Sequence, residues 1–154
     1  MSEAMEYAED SIGRFLHVLE TTGVVLALEP LGPEWGDFLT TAAQGVELAR
    51  RIDSAHVRLH LDCKAMTSDE ATPAELIVRH RDWLAHIHAN DPNNRGPGFG
   101  ELDFVPIFEA LRRIDYQGYV SVEVFDYEPG PERLARESIE HMRACLEKVD
   151  LGSG

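Results

Sequence analysis

The sequence feature that most constrains the fold is a fourfold alternation of short apolar segments with longer amphipathic ones. Such alternation is typical of βα units in a parallel sheet. Runs rich in β-branched and apolar residues predict strands at Val24–Glu29, Val57–Asp62, Leu84–Ala89 and Tyr119–Phe125. The chain is therefore predicted to be an α/β protein with four βα units.

Helical segments follow each predicted strand, and one more precedes the first strand. The helix after the first strand is predicted to begin after a capping Asp37, because Phe38 opens an apolar stripe with helical spacing. The segment Thr72–Glu75 reads Thr-Pro-Ala-Glu, a capping box with proline at the first helical position. The other helices are predicted at about 4–19, 103–114 and 131–146.

The charge of the chain excludes several classes of partner. The 154 residues carry a formal net charge of −14, and both halves are acidic, so we expect no nucleic-acid or membrane partner. The two cysteines lack metal-ligand spacing, which argues against a disulfide scaffold or a thiolate zinc site. The acidic N-terminal segment has no basic region followed by an apolar run, so we expect no signal peptide and a cytoplasmic location.

A carboxylate or an imidazole stands at the end of every predicted strand. Parallel α/β folds place their ligand sites at this edge of the sheet. A single carboxylate there is more often a helix cap or a surface charge. Four on consecutive units indicate a shared site instead. The four residues are Glu29, Asp62, His88 and Glu123.

Three carboxylates and one imidazole are a ligand set for a divalent cation. Without a thiolate the set favours Mn²⁺ or Mg²⁺, and Co²⁺ and Zn²⁺ are acceptable to the same donors. Three carboxylates so close together would repel one another unless a cation or a proton offset their charge. The sequence therefore predicts a divalent metal, with Mn²⁺ as the first choice.

Two further histidines lie on the faces that carry these ligands. A period of two puts His60 beside Asp62 and His86 beside His88. We expect both rings to pack behind the ligands and not to bind the metal, and His60 is also a candidate for substrate binding.

Two loops supply the remaining candidate residues. The loop at 90–100 carries Arg95, whose guanidinium suits a substrate phosphate, carboxylate or hydroxyl. Its glycines match neither a dinucleotide fingerprint nor a P-loop, so no nucleotide site is expected. Trp35, in the loop after Glu29, is expected to line a substrate pocket, whereas Trp83 is expected to pack in the core.

At these positions the chain resembles the C-terminal half of the xylose isomerase-like TIM-barrel superfamily, which contains sugar phosphate isomerases and epimerases. The resemblance implies that the four strands correspond to strands five to eight of a (βα)₈ barrel. It also implies that Glu29, Asp62, His88 and Glu123 are metal ligands, and that Arg95 binds substrate. The matching segments are LALEPLG at 26–32, LHLDCKAM at 59–66, HIHANDPNNRGPGFGELDF at 86–104 and YVSVEVFDYEPGPERLARESIEHM at 119–142.

The resemblance implies a metal-dependent sugar or sugar-phosphate isomerase or epimerase. In such an enzyme Glu29 and Glu123 would be the catalytic acid and base that transfer a proton next to a carbonyl. Two departures favour a generic isomerase over a ketose 3-epimerase. Ala65 stands where many members have a substrate-binding histidine, and the loop Pro30–Glu34 lacks the asparagine and arginine of the ketose 3-epimerases.

Other interpretations stay open at this point. A dehydratase of the same superfamily would use the same metal on a polyol or keto-acid, and a non-catalytic half-barrel would serve in assembly. The DNA-repair endonuclease branch conflicts with the net charge of −14.

Four βα units supply half of the eight that a complete barrel of ~250 residues requires. We therefore expect one half-barrel domain over 1–150 and a disordered tail at 151–154. The resemblance implies a small sugar or polyol as substrate. The open sheet predicts a second copy or a complementary half-barrel as partner, unless the chain is a truncated product.

Overall fold

The computed structural model describes residues 2–152 and contains a four-stranded parallel sheet. Its spatial order β1-β2-β3-β4 follows the order along the chain, as in a barrel wall. The predicted parallel sheet of four βα units is confirmed, although the two outer strands are shorter than predicted. The strands are Leu26–Leu28 (β1), Val57–Asp62 (β2), Leu84–Ala89 (β3) and Val120–Val122 (β4).

Helices connect the strands and precede the first of them. The helix predicted at 4–19 is divided in two, since the first helix ends at Gly13, a residue of poor helix propensity, and the second begins after Phe15 at its N-cap position. The helices are Ser2–Gly13 (α1), Leu16–Thr22 (α2), Ala42–Ile52 (α3), Cys63–Met66 (α4), Pro73–Arg79 (α5), Val105–Arg113 (α6) and Pro131–Leu151 (α7).

The predicted start of α3 is wrong, whereas that of α5 is confirmed. Thr41, not Asp37, is the N-cap of α3, and its hydroxyl accepts a hydrogen bond from the Gln44 N–H at 3.3 Å. In the loop before Thr41 the chain reverses direction, and the Leu31 N–H donates to the Leu39 carbonyl at 3.0 Å. The capping box of Thr72 at the start of α5 is present with both of its hydrogen bonds.

The two faces of the sheet have different roles. Leu59, Leu61 and Ile87 point into a core formed with the helices, and all three are almost fully buried. Because side chains alternate along a strand, the neighbouring residues of β2 and β3 point to the opposite face. The partly buried Trp83 packs against the core, as expected. The opposite face is therefore polar, and it carries His60, Asp62, His86 and His88.

Several expectations about the ends of the chain stay predictions. The single domain over 1–150 is one of them, and the disordered tail at 151–154 is another. Leu151 is the last residue of α7 and Gly152 caps that helix, while Ser153 and Gly154 lie outside the described residues. Over residues 2–152 the structure has no helix with the length and apolar character of a membrane span.

Candidate metal centre

The carboxyl edge of the sheet brings together the four residues that the sequence singles out. Glu29 and Glu123 directly follow β1 and β4, whereas Asp62 and His88 lie in β2 and β3 and face each other in the strand register. One oxygen or nitrogen atom of each lies within 4.8 Å of the corresponding atom of every other. The fold thus places all four together, and their role as ligands stays a prediction.

The imidazole of His88 lies at the centre of this group. Its Nδ1 is 3.2 Å from Glu123 Oε2, 3.6 Å from Glu29 Oε1 and 3.9 Å from Asp62 Oδ2. The same Nδ1 is buried and makes no hydrogen bond within residues 2–152. Buried polar atoms in proteins rarely lack a partner, and a bound cation would supply one.

A divalent cation fits this donor set. Metal–oxygen and metal–nitrogen bonds of about 2.0–2.2 Å let two ligands of one ion stand up to about 4.4 Å apart. The four candidate ligand atoms all lie within 4.8 Å of one another, which is close to that span. Modest side-chain rotations would therefore bring all four within bonding distance of one ion. The ligands would be three carboxylate oxygens and one imidazole nitrogen, a set that hard and borderline cations share.

Burial and charge act together on Asp62. Burial raises the pKa of this carboxyl, and the hydrogen bonds from Ala65 and Asn90 oppose the rise. The negative charges of Glu29 and Glu123 raise the pKa further. The net result is a pKa above the ordinary value, because burial together with the two neighbouring carboxylates outweighs the hydrogen bonds.

The histidines affect the carboxylates in the opposite direction. Burial raises the pKa of Glu29, but His88 and His60 more than offset this, and the pKa falls below its ordinary value. Burial lowers the pKa of His60 to about 4, so its ring is neutral at pH 7. The pKa of His88 is raised, chiefly by Glu29 and further by Glu123. The proton on His88 therefore competes with the metal for this imidazole.

We predict that Mn²⁺ affinity falls as the pH is lowered through the raised pKa of His88, because a metal ligand must be deprotonated. Protonation of the Asp62 carboxylate should weaken Mn²⁺ binding further at lower pH, since the pKa of this group is also raised. Calorimetry in two buffers of different ionisation enthalpy measures the protons released on binding. An affinity that stays constant between about pH 8 and about pH 5 contradicts this prediction.

His60 lies next to Glu29 on the polar face of the sheet. Its side chain is almost fully buried, and its Nδ1 is 3.6 Å from Glu29 Oε2. Its ring meets those of His86 and His88 edge to face, with centroids 5.1 and 4.0 Å away. The ring therefore lies beside Glu29 on the polar face of the sheet, and its role in substrate binding stays a prediction.

A cavity of about 180 Å³ opens beside the four residues. Trp35 lines it and is 61% exposed, and its role in substrate binding stays a prediction. Among the described residues, Arg95 stands apart from the lining, and its Nε donates to Asp126 Oδ2 at 2.8 Å. Substrate binding by Arg95 thus stays a prediction. The cavity is lined by Glu29, Leu31, Trp35, Asp62, Lys64, Ala65, Asn90, Glu123 and Phe125.

Two residues of the site, Asn90 and Lys64, were not predicted from the sequence. Asn90 is 1% exposed, and its amide donates to Asp62 Oδ2 at 2.5 Å, while its Oδ1 accepts from the Lys64 N–H at 2.9 Å. The Lys64 side chain lines the cavity. The available signal was position, because Asn90 directly follows β3 and Lys64 stands two residues after the end of β2.

We predict that Asn90→Ala weakens Mn²⁺ binding about 10- to 100-fold, because the Asn90 amide holds the Asp62 carboxylate in place. The change also leaves the Lys64 N–H without its acceptor, so the protein should lose about 1–3 kcal/mol of unfolding free energy. Titration calorimetry and thermal unfolding measure the two effects. Asn93→Ala, on the exposed loop, is the matched control, and equal Mn²⁺ affinity in both variants contradicts the prediction.

Comparison with known proteins adds evidence from outside the chain. A family model described as the xylose isomerase-like TIM barrel matches residues 2–145. The curated 3-dehydro-D-guloside 4-epimerase of Escherichia coli is 34% identical over 136 residues, which are 88% of this chain and 52% of that protein. The D-psicose 3-epimerase of Enterocloster bolteae is 35% identical over 111 residues, which are 72% of this chain and 37% of that protein.

A solved structure agrees with these relatives. The crystal structure of 3-keto-D-glucoside 4-epimerase from E. coli, in its apo form, superimposes with a TM-score of 0.85 at 33% identity. The match covers 92% of this chain and 54% of the other. The chain thus spans about half the length, or less, of the relatives that it matches.

Proposed function

This chain belongs to the xylose isomerase-like TIM barrel family, and from that membership we propose that it carries the metal-binding half of a sugar epimerase or isomerase site. The observation that carries the proposal is the convergence of Glu29, Asp62, His88 and Glu123 at one edge of the sheet. The proposed cofactor is a divalent metal, Mn²⁺ in the first place and Mg²⁺, Co²⁺ or Zn²⁺ as alternatives.

The proposed chemistry is proton transfer at a carbon next to a carbonyl. A bound divalent cation supplies a Lewis acid for the carbonyl and hydroxyl oxygens of the sugar. Glu123 Oε2 and Glu29 Oε1 both lie close to His88 Nδ1, at 3.2 and 3.6 Å, so two carboxylates are available beside one metal position. One carboxylate removes the proton, and the other returns a proton to the opposite face, which inverts the carbon.

A small sugar or polyol is the proposed substrate. The relatives are named for the epimerisation of D-psicose at C3 and of 3-dehydro-D-guloside at C4. The test is a panel of ketoses and keto-glycosides, incubated with the protein after loading with each of the four metals and analysed by NMR. Formation of an epimer supports the proposal, and a metal-loaded protein that converts none of them contradicts it. The cytoplasmic location stays a prediction.

A non-catalytic role in assembly is the second candidate function. The observation that favours it is the open sheet of the described residues, in which β1 and β4 each have one neighbouring strand. β1 and β4 are the two edges of the sheet, and exposed apolar side chains flank them, with Val24 54% and Tyr119 83% exposed. Unpaired edge strands favour association, so we propose a second copy or a complementary half-barrel as partner.

We predict that the isolated chain is not a stable monomer, because its sheet is open at both edges. Light scattering should give a mass well above that of one 17.2 kDa chain. Metal should raise the thermal stability of an assembly that forms the site, since a ligand that binds only the folded state stabilises it. A monodisperse 17.2 kDa species with cooperative unfolding at micromolar concentration contradicts the prediction.

A further inference from the structure

Lys64 holds its ammonium group between aromatic rings at the cavity beside the metal centre. The Nζ atom is 4.8 Å from the ring centroid of Trp35 and 5.8 Å from that of Phe125. Both rings are themselves more than half exposed, and all three residues line the same cavity. Stacking on an aromatic face fixes a cation in position without neutralising its charge.

The ammonium group keeps hydrogen-bonding capacity for a ligand. Its contact with Asn94 Oδ1, at 2.6 Å, uses one of three donors. None of the ion pairs found within residues 2–152 includes Lys64. Arg95 differs in this respect, because Asp126 already pairs with its guanidinium. Of these two cations, Lys64 is the one that lines the cavity without a carboxylate partner.

Lys64 offsets negative charge in the lining of the cavity. The cavity is lined by three carboxylates, and a divalent metal would leave an excess of one negative charge. Lys64 is the only cation among the described residues that line the cavity, and its charge offsets that excess. An anionic substrate would otherwise enter a negative pocket of a protein whose net charge is −14.

We propose that Lys64 is a substrate-binding residue that selects sugars bearing an anionic group, either a carboxylate or a phosphate. The inference rests on the proposed function, because it takes the cavity as the sugar site. The anionic group would accept hydrogen bonds from the two remaining Nζ donors, while the sugar carbons contact the rings of Trp35 and Phe125. The charged group thereby fixes which end of the sugar points away from the metal.

The test compares three probes that differ only at C6, namely D-fructose, D-fructuronate and D-fructose 6-phosphate. Their dissociation constants are measured by calorimetry on the Mn²⁺-loaded protein. We expect at least one anionic probe to bind about tenfold more tightly than D-fructose, as a charge-assisted hydrogen bond provides. A preference for D-fructuronate assigns the carboxylate as the ligand, and a preference for D-fructose 6-phosphate assigns the phosphate.

Three variants make the test specific to Lys64. Lys64→Met should lower the affinity for the preferred anionic probe about tenfold more than it lowers the affinity for D-fructose, whereas Lys64→Arg should retain the preference. Lys148→Met is the matched control, because it removes the same charge from the exposed surface of α7 and should change nothing. Mn²⁺ affinity in each variant reports whether the metal centre has formed.

Two results overturn the proposal, whether or not the protein turns over any sugar. One is that the unsubstituted protein binds neither anionic probe more tightly than D-fructose. The other is that the preference survives in Lys64→Met. Failure of the proposed function looks different, because a protein that binds an anionic probe through Lys64 but epimerises no sugar refutes the activity and supports the role of Lys64.

Discussion

Asp62→Ala should abolish high-affinity Mn²⁺ binding. Asp62 is the most buried of the three carboxylates, and its Oδ2 is 3.9 Å from His88 Nδ1 at the centre of the site. Removing a residue that only holds a metal ligand in place lowers metal affinity about 10- to 100-fold. Removing a ligand itself should therefore lower Mn²⁺ affinity more than about 100-fold. Titration calorimetry with Mn²⁺ measures the effect directly.

The control for this variant must account for a second role of Asp62. Its Oδ1 accepts the Ala65 N–H at 2.8 Å and caps α4, so the alanine variant should also lose about 1 kcal/mol of stability. Asp103→Ala is matched to it, because Asp103 Oδ1 accepts the Val105 N–H at the start of α6, on the exposed surface. If Asp62→Ala binds Mn²⁺ as tightly as Asp103→Ala, the ligand assignment is wrong.

The sheet and the central residues of the site are readable from sequence because both follow simple periodicities. β2 and β3 have the predicted bounds, since each is a six-residue segment with an apolar residue at every second position and a neighbouring strand on both sides. β1 and β4 are edge strands with one neighbour each, so regular pairing covers only three residues of each predicted run. Polar residues at strand ends were informative because parallel strands all end at the same edge.

The features that could not be predicted from the sequence depend on contacts between residues that are far apart along the chain. Phe38 has the spacing of a helical residue, yet it lies in a loop and packs against the cluster beneath α1. Asn90 and Lys64 are polar residues next to strand ends like many others, and only the fold shows that one holds Asp62 and the other lies against Trp35. Such roles arise from pairing across 26 residues or more of sequence, which no local period encodes.

Glu123→Gln should reduce turnover about 100- to 10,000-fold, and this is the second large effect that the site predicts. Glutamine keeps the shape of the side chain and one oxygen for a metal, but it has no basic site for a proton. The loss should therefore fall on kcat much more than on Mn²⁺ affinity. Glu128→Gln, at an exposed position nearby in sequence, is the matched control and should retain full turnover.

Isotope exchange distinguishes proton transfer from other routes to the same product. If Glu123 and Glu29 exchange their protons with solvent, turnover in deuterated water places deuterium on the inverted carbon of the product. A shielded base or a hydride shift would leave no label, so the label supports proton transfer while the kinetics of Glu123→Gln decide the role of the residue. Glu123 Oε2 is 3.2 Å from His88 Nδ1, the shortest of the distances from that nitrogen to the three carboxylates, which motivates the choice of Glu123 for substitution. Unchanged turnover in Glu123→Gln would remove this residue from the chemistry.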